Sequence, residues 1–261
     1  MYSLLVSVAA GLVVWLIVGY FYSVLAGFML GLLVALGIFF LFARKYFDLL
    51  QEISAQSMKK LESLQDLQSK VGQVPQLLLE QQRDHAMAEA VKVLEDGLVH
   101  GKWMFLFESQ LSGQIGYIHY LGKKYDLAFP YLQKTFSKNY LALLMLAACY
   151  HRKKELPKLE ETLARAAKHN KDTPLVWAVY GWFMKENGKI DKCLEVLDQG
   201  TKACPSDQTL KTLLLSQQNK KPLDMKLMGD IWYQLYLEEL PVKRVQAMQT
   251  RFVPPSHRRR R

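Results

Sequence analysis

The side chains of this sequence best suited to acid–base or metal chemistry are its six histidines. His119 and His151 lie at corresponding ends of two predicted helices, so a shared metal or proton-transfer site is one interpretation. The other, which we favour, is that each histidine is half-buried beside a groove. Adjacent carboxylates such as Glu160 and Glu161 point in different directions on a helix, and we interpret them as solvated.

Three cysteines, Cys149, Cys193 and Cys204, lie within predicted helices and have neither a paired nor a metal-ligand spacing. We interpret them as small buried thiols of a protein in a reducing compartment, because a disulfide framework has more cysteines in a shorter chain. The sequence contains no G-x-G-x-x-G, P-loop, H-E-x-x-H or C-x-x-C motif. We therefore predict a protein that is not an enzyme and that has no catalytic residue, cofactor or metal.

Basic residues are concentrated at the C-terminus. The net charge is +10, and residues 242–261 contain seven basic and no acidic residues, which leaves 10 − 7 = +3 for the rest. Pro254 and Pro255 favour extended structure, so we predict a disordered basic tail over 242–261. Anionic lipid is one predicted target of the tail, and nucleic acid or a purely solubilising role are the alternatives. The predicted lipid-contacting residues are Arg258, Arg259, Arg260 and Arg261.

The first 43 residues contain no Asp, Glu, Lys or Arg. A single helix of this length would measure roughly 65 Å, about twice the hydrocarbon core, so we predict a transmembrane hairpin with spans near 3–18 and 24–42. Aromatic residues in the intervening turn suit a membrane interface. A secretory signal peptide is the alternative, but this run is longer than an h-region and lacks a basic start. The small residues expected between the spans are Gly11, Gly27, Gly31 and Gly37.

Orientation follows from the basic residues beside the spans. Arg44 and Lys45 follow the second span directly, whereas the predicted turn carries no basic residue. Because Lys and Arg are retained on the cytoplasmic side, we predict that both termini and the rest of the protein are cytoplasmic.

Residues 44–75 are predicted to form a helical stalk. Heptads counted from Leu50 place apolar residues at six of eight a and d positions, with Ser57 and Lys60 as the exceptions. One prediction is a short coiled coil that forms a homodimer. The other is a single amphipathic helix that packs on its own chain or on the membrane. A long helix is predicted to follow within 76–108, with an apolar face of Leu77, Leu78, Ala86, Ala90, Val91, Leu94 and Leu98.

A 34-residue pattern recurs in the second half of the chain. In residues 174–207, Trp177 and Gly181 lie on one predicted helix, Gly188 ends that helix and Pro205 ends the next. Residues 140–173 align with this unit without a gap. Residues 109–139 form a third unit that is three residues short.

This pattern resembles the tetratricopeptide repeat (TPR), which has large and small residues at set positions, a glycine near position 15 and a proline near position 32. The resemblance implies an all-α fold with a TPR-type α-solenoid over 109–221, and an unrelated helical bundle is the alternative. A capping helix is predicted over 222–241 to cover the last repeat. A membrane hairpin followed by repeats is similar in layout to HemY-like bacterial inner-membrane TPR proteins, which implies that membrane as the location.

In TPR proteins the first helix of each pair lines a concave surface that binds peptides. The resemblance implies that Tyr117 and Trp182 form an exposed aromatic column there, beside Arg152 and Lys185, suited to a partner with apolar anchors and some negative charge. Packing of these side chains within the protein itself is the alternative. The full set of predicted partner-binding residues is Tyr117, Tyr120, Leu144, His151, Arg152, Ala178, Trp182, Lys185 and Glu186.

These features predict a membrane-anchored scaffold or adaptor that binds partner proteins through its repeats. The alternative is a structural subunit of a larger membrane complex for transport, secretion or envelope biogenesis.

Overall fold

The computed structural model describes residues 2–68, 76–103 and 106–238. Within these ranges every regular element is helical, as the sequence predicts. The chain divides into two compact units, Met1–Leu64 with Pro75–Ile115 and Gln65–Val74 with Gly116–Arg261. The predicted tail, 242–261, with its four terminal arginines, lies outside the described residues.

Two helices at the N-terminus, α1 (Tyr2–Phe21) and α2 (Val24–Gln68), are long and apolar enough to span a membrane. Only Tyr22 and Ser23 connect them, so the turn is shorter than predicted. The helix of the second span does not end near residue 43, because no glycine or proline follows Gly37 before residue 68. The predicted second span and the described part of the predicted stalk, up to Gln68, are therefore one continuous helix.

Small residues lie between α1 and α2. A Cβ atom placed on Gly31 would lie 2.5 Å from the Gly11 carbonyl oxygen, and one on Gly27 would lie 2.6 Å from the Gly19 nitrogen. The predicted close approach is thus confirmed at Gly11, Gly27 and Gly31. It is wrong for Gly37, where an added Cβ would meet nothing within 4 Å.

The stalk part of α2 packs on α3 (Gln76–Gly97) within the same unit. Ser57 Oγ donates a hydrogen bond of 3.0 Å to the Ala90 carbonyl oxygen, and Ile53 reaches the backbone of Gly97. Leu50, which the heptad pattern also placed on the seam, is buried. These contacts match the alternative of a helix that packs on its own chain, and they occupy the described half of the seam, from Leu50 to Lys60. The homodimer stays a prediction.

The apolar face predicted for α3 is only partly buried. Ala86, Ala90, Val91 and Leu94 are in the core, but Leu77 is 68% exposed and Leu78 is also exposed. A short 3-10 helix, Leu98–Lys102, follows α3.

Seven helices, α4 to α10, follow and alternate between an A type and a B type. The A-type helices are α4 (Phe107–Leu121), α6 (Tyr140–Arg152), α8 (Pro174–Glu186) and α10 (Gln208–Gln218). The B-type helices are α5 (Tyr125–Gln133), α7 (Leu156–His169) and α9 (Ile190–Ala203). The starts of α6, α8 and α10 are spaced by 34 residues, as are those of α7 and α9, which agrees with the predicted register.

Each A-type helix ends in the same left-handed cap. Lys123, Lys154, Gly188 and Lys220 all have positive φ, between 55° and 75°. In each case the next residue donates its N–H to a carbonyl five residues back, as Glu155 does to Tyr150, which is the Schellman pattern. At three of the four caps, lysine adopts the left-handed conformation that glycine adopts most easily.

Close crossings between A-type and B-type helices also recur. A Cβ on Gly116 would lie 2.7 Å from Leu132, and one on Gly181 would lie 2.9 Å from Leu197, sixteen residues later in each case. Glycine at this position leaves the space that the leucine of the paired helix fills.

The predicted capping helix over 222–241 is not formed as a single helix. The segment contains a 3-10 helix, Met225–Met228, and a short helix α11, Asp230–Tyr233. Gly229 separates them with φ of 75°, a conformation incompatible with a continuous right-handed helix.

Candidate functional site

Residues 221–238, which we call the closing segment, lie on the surface formed by α4, α6 and α8, which we call the A-helix face. Three side chains of this face donate hydrogen bonds to backbone carbonyls of the segment. Lys185 Nζ bonds Lys221 O at 2.9 Å, Arg152 Nη2 bonds Tyr236 O at 3.0 Å and Tyr120 Oη bonds Leu235 O at 2.5 Å. The segment therefore crosses all three helices rather than covering only the last repeat.

An aromatic cluster holds the middle of the closing segment. Trp232 is fully buried, and its ring lies edge-to-face with Trp182 at 5.1 Å between centroids. Phe183 and His151 extend the cluster, with 5.2 Å between their centroids. The Trp232 indole N–H donates to Glu238 Oε2 at 3.0 Å, so burial leaves no unpaired donor on this ring.

A tyrosine cluster holds the end of the segment. The rings of Tyr120 and Tyr236 stack at 6.1 Å, and Tyr236 Oη donates to Leu121 O at 3.2 Å. The Arg152 guanidinium lies 4.1 Å from the centroid of the Tyr125 ring, a cation–π geometry. Arg152 thus contacts one ring of α5 and the backbone of the segment at the same time.

Burial raises the pKa of two tyrosines of this face. It raises the pKa of Tyr117 to about 12, with smaller contributions from Tyr236 and Tyr140, and it also raises the pKa of Tyr120. Tyr117 Oη lies 3.4 Å from Gln234 Oε1, so both phenols act as donors to the closing segment at neutral pH.

The predicted exposed column is wrong for Trp182, which is only 8% exposed, and Tyr117 is half-buried. Leu144 and Ala178 are fully buried in the core, so neither presents a side chain to a partner. The closing segment contacts the first two, through Trp232 at Trp182 and through Gln234 at Tyr117. The other predicted partner-binding residues differ in their solvent exposure. Tyr120 is buried, His151 and Lys185 are half-buried, and Arg152 and Glu186 are exposed.

Sequence reasoning missed the strongest contacts of this site. Trp232 is buried against Trp182, and the next residue, Tyr233, is also buried, but neither was among the residues predicted for this face. The signal available in the sequence was density of aromatic residues, with three of them between residues 232 and 236. A helical periodicity search overlooks such a cluster, because its members belong to an irregular segment.

The cysteine and histidine side chains are not grouped into one site in the described part of the chain. The three cysteines are free and buried, as predicted, and burial raises the pKa of Cys149 and of Cys193 to about 11, so their thiols are poorly nucleophilic. His119 stacks on Tyr131 with 5.9 Å between centroids. In the part of the chain that the structure describes, no three His, Cys, Asp or Glu side chains are grouped to hold a metal.

No protein-family model, curated protein or solved structure matches this chain. The TPR resemblance therefore depends on features of the chain itself. These are the 34-residue spacing of helix starts, the repeated left-handed caps and the glycine–leucine crossings.

Proposed function

We propose that this protein is a membrane-anchored helical-repeat adaptor whose A-helix face binds a segment of a partner protein in place of its own closing segment. The observation that carries the proposal is the set of bonds from Lys185, Arg152 and Tyr120 to backbone carbonyls of an irregular segment. Bonds to backbone depend little on the sequence of the bound chain, so the same face would accept another segment of similar shape.

The chemistry of the partner follows from the anchors of the closing segment. Met225, Trp232 and Leu235 are buried at intervals along it, and the polar residues Lys226, Asp230 and Gln234 lie among the others. A competing segment would need an aromatic side chain facing Trp182 and an aliphatic one beyond it, in an irregular backbone conformation. Large apolar anchors of this kind carry most of the binding energy in protein interfaces.

The membrane anchor of the proposal is the hairpin of α1 and α2. The large apolar side chains of α1 are exposed along its length, from Leu4 to Phe21. An apolar surface of this extent in water would be an aggregation site, whereas in lipid it is the expected surface of a spanning helix. With Arg44 and Lys45 on the cytoplasmic side, both termini and the repeats would face the cytoplasm.

A cleavage experiment tests whether the closing segment is exchangeable. A protease recognition sequence would be inserted into the exposed turn at 218–222 of the full-length protein, held in mild detergent. After cleavage, we expect the C-terminal fragment to remain bound and to be displaced by an added fluorescent peptide of residues 221–238. Fluorescence anisotropy would follow binding of the peptide.

Two leucines of the segment provide matched variants. Leu235 is fully buried, so Leu235→Ala should speed fragment release by at least about tenfold, since loss of a buried leucine costs roughly 2–5 kcal/mol. Leu227 is exposed, and Leu227→Ala should leave the release rate unchanged. If cleavage unfolds the repeats, or the peptide never displaces the fragment, the segment is a fixed part of the core and the proposed binding site does not exist.

A structural subunit of a larger membrane complex is the second candidate. Its supporting observation is that Leu156 and Ile190, the first residues of α7 and α9 and 34 residues apart, are both exposed, as is Leu127 of α5. Apolar residues repeated on the B-type helices suit permanent assembly through that side. Co-purification of a partner in fixed stoichiometry, unaffected by the state of the closing segment, would favour this candidate.

A further inference from the structure

We propose that residues 98–103 form a second membrane-contacting element, in which Val99 and Trp103 enter the headgroup region of the bilayer beside the start of α1. The inference rests on the proposed insertion of α1 and α2 in a membrane. It concerns a different surface from the A-helix face, and it holds whatever binds there.

The first step is the attachment of this segment to α1. The backbone N–H of Ser3 donates to the Trp103 carbonyl oxygen at 3.2 Å, and Ser3 Oγ donates to the same oxygen at 2.5 Å. The rings of Tyr2 and Trp103 meet edge-to-face with 5.5 Å between centroids. Trp103 is therefore held at the N-terminal end of a helix of membrane-spanning length.

The second step is depth. Gly11 faces both Gly31 and Ala35 of the antiparallel helix α2. Ser3 precedes Gly11 by eight residues, so it lies at the level of Phe39 to Ala43, which follow Gly31 and Ala35 by eight. The next residue is Arg44, the first charged side chain of the chain. Trp103 thus lies where the uncharged part of the hairpin ends, which is the level of the membrane interface.

The third step is exposure. Val99 is 75% exposed and Trp103 is 39% exposed, and Lys102 between them is exposed as well. Gly97, directly before this segment, lies against Ile53 and Leu111 of the same unit.

The side-chain chemistry fits a phospholipid surface. Tryptophan favours the headgroup level, because its ring is apolar and its N–H is polar. A lysine beside it adds attraction to anionic headgroups of about 1 kcal/mol. The element would hold the junction of α3 and α4 against the bilayer surface and restrict tilting of unit Met1–Leu64 with Pro75–Ile115.

Depth measurement by spin labels tests the inference on the full-length protein. Nitroxides would be attached singly through Val99→Cys, Leu12→Cys and Leu215→Cys, since the three native cysteines are buried. Leu12 is exposed on α1, and Leu215 is exposed on α10. The labelled proteins would be reconstituted in mixed phosphatidylcholine and phosphatidylglycerol vesicles, and collisions with oxygen and with a water-soluble nickel chelate would be compared.

We expect the ratio of oxygen to nickel collisions to be highest at Leu12, intermediate at Val99 and lowest at Leu215. In a second variant, Trp103→Ser, the Val99 label should move toward water while the Leu12 label stays unchanged. A water-exposed label at Val99 together with a lipid-exposed label at Leu12 would overturn this inference alone. A water-exposed label at Leu12 would overturn the membrane anchor as well, so the two failures are distinguishable.

Discussion

Helices α1 and α8 are both strongly apolar, but they bury opposite sets of residues. In α1 the buried residues are Ser3, Ser7 and Gly11, while the large apolar side chains are exposed. In α8 ten consecutive residues from Leu175 to Met184 are buried, and large side chains dominate. Apolar content alone therefore does not say which residues form a core.

The proposed insertion of α1 and α2 in a membrane would explain the difference. In water, burial of large apolar side chains stabilises α8 by about 25 cal/mol for each Å² removed. In lipid that driving force is absent between helices, so two helices associate through small residues that permit close van der Waals contact. The predictions below test this contrast, from the largest expected effect to the smallest.

Trp232→Ala should lower the free energy of unfolding of the repeats by roughly 3–5 kcal/mol, because it leaves a cavity against Trp182. The measurement is urea unfolding in mild detergent followed by far-UV circular dichroism. Leu12→Ala is the matched change on α1, where the side chain is exposed, and it should leave stability unchanged. Equal losses for both variants would mean that α1 is buried in a protein core.

Gly31→Ala should weaken the hairpin by about 1–3 kcal/mol, because the new methyl group meets the rigid backbone of Gly11. SDS titration of the full-length protein would report this loss. In α8, Gly181→Ala meets only the side-chain end of Leu197, and the helix propensity of alanine offsets about 1 kcal/mol of that strain. A larger loss at Gly181 than at Gly31 would reverse the contrast.

Substitutions at two of the left-handed caps should change the stability of the protein in opposite directions. Lys154→Gly should stabilise the protein by about 0.5–1 kcal/mol, because glycine adopts positive φ without a Cβ penalty. Gly188→Ala should destabilise it by a similar amount for the same reason. Thermal unfolding of both variants checks the pair, and a loss of stability in Lys154→Gly would argue against the cap assignment.

Among these predictions, substitution of His151 should have the smallest effect on stability. Its burial lowers its pKa, with Arg152 acting in the same direction and Glu186 opposing it. The unfolded chain then binds a proton more readily than the folded one, so stability is present above the unfolded pKa of about 6.5 and is lost as pH falls below it. His151→Gln should therefore lose less stability than the unsubstituted protein between about pH 7.5 and pH 5.5. Identical losses would show that His151 does not contribute.

Local spacing was enough to predict the helical register. The 34-residue pattern predicted the positions of α6 to α9, and the uncharged residues 1–43 predicted both apolar helices. The heptad pattern of the stalk allowed two outcomes, because a seam of Leu50, Ile53 and Ser57 can pack on a second copy or on α3 equally well. Only the proximity of α3 in the folded chain distinguishes them.

The A-helix face shows the same limit. The TPR resemblance implied that Tyr117, Arg152 and Trp182 belong to one surface, and each of them contacts the closing segment. The sequence contained no periodic sign that Trp232, fifty residues after Trp182, would cover that surface.

The sequence by itself determined the helices, the repeat register and the apolar leader, because these depend on composition and on spacing within one turn or one repeat. The tertiary structure decided which apolar residues are buried, where the closing segment lies and that Trp103 meets the start of α1. Those outcomes depend on contacts between residues far apart in the chain, which local patterns do not encode.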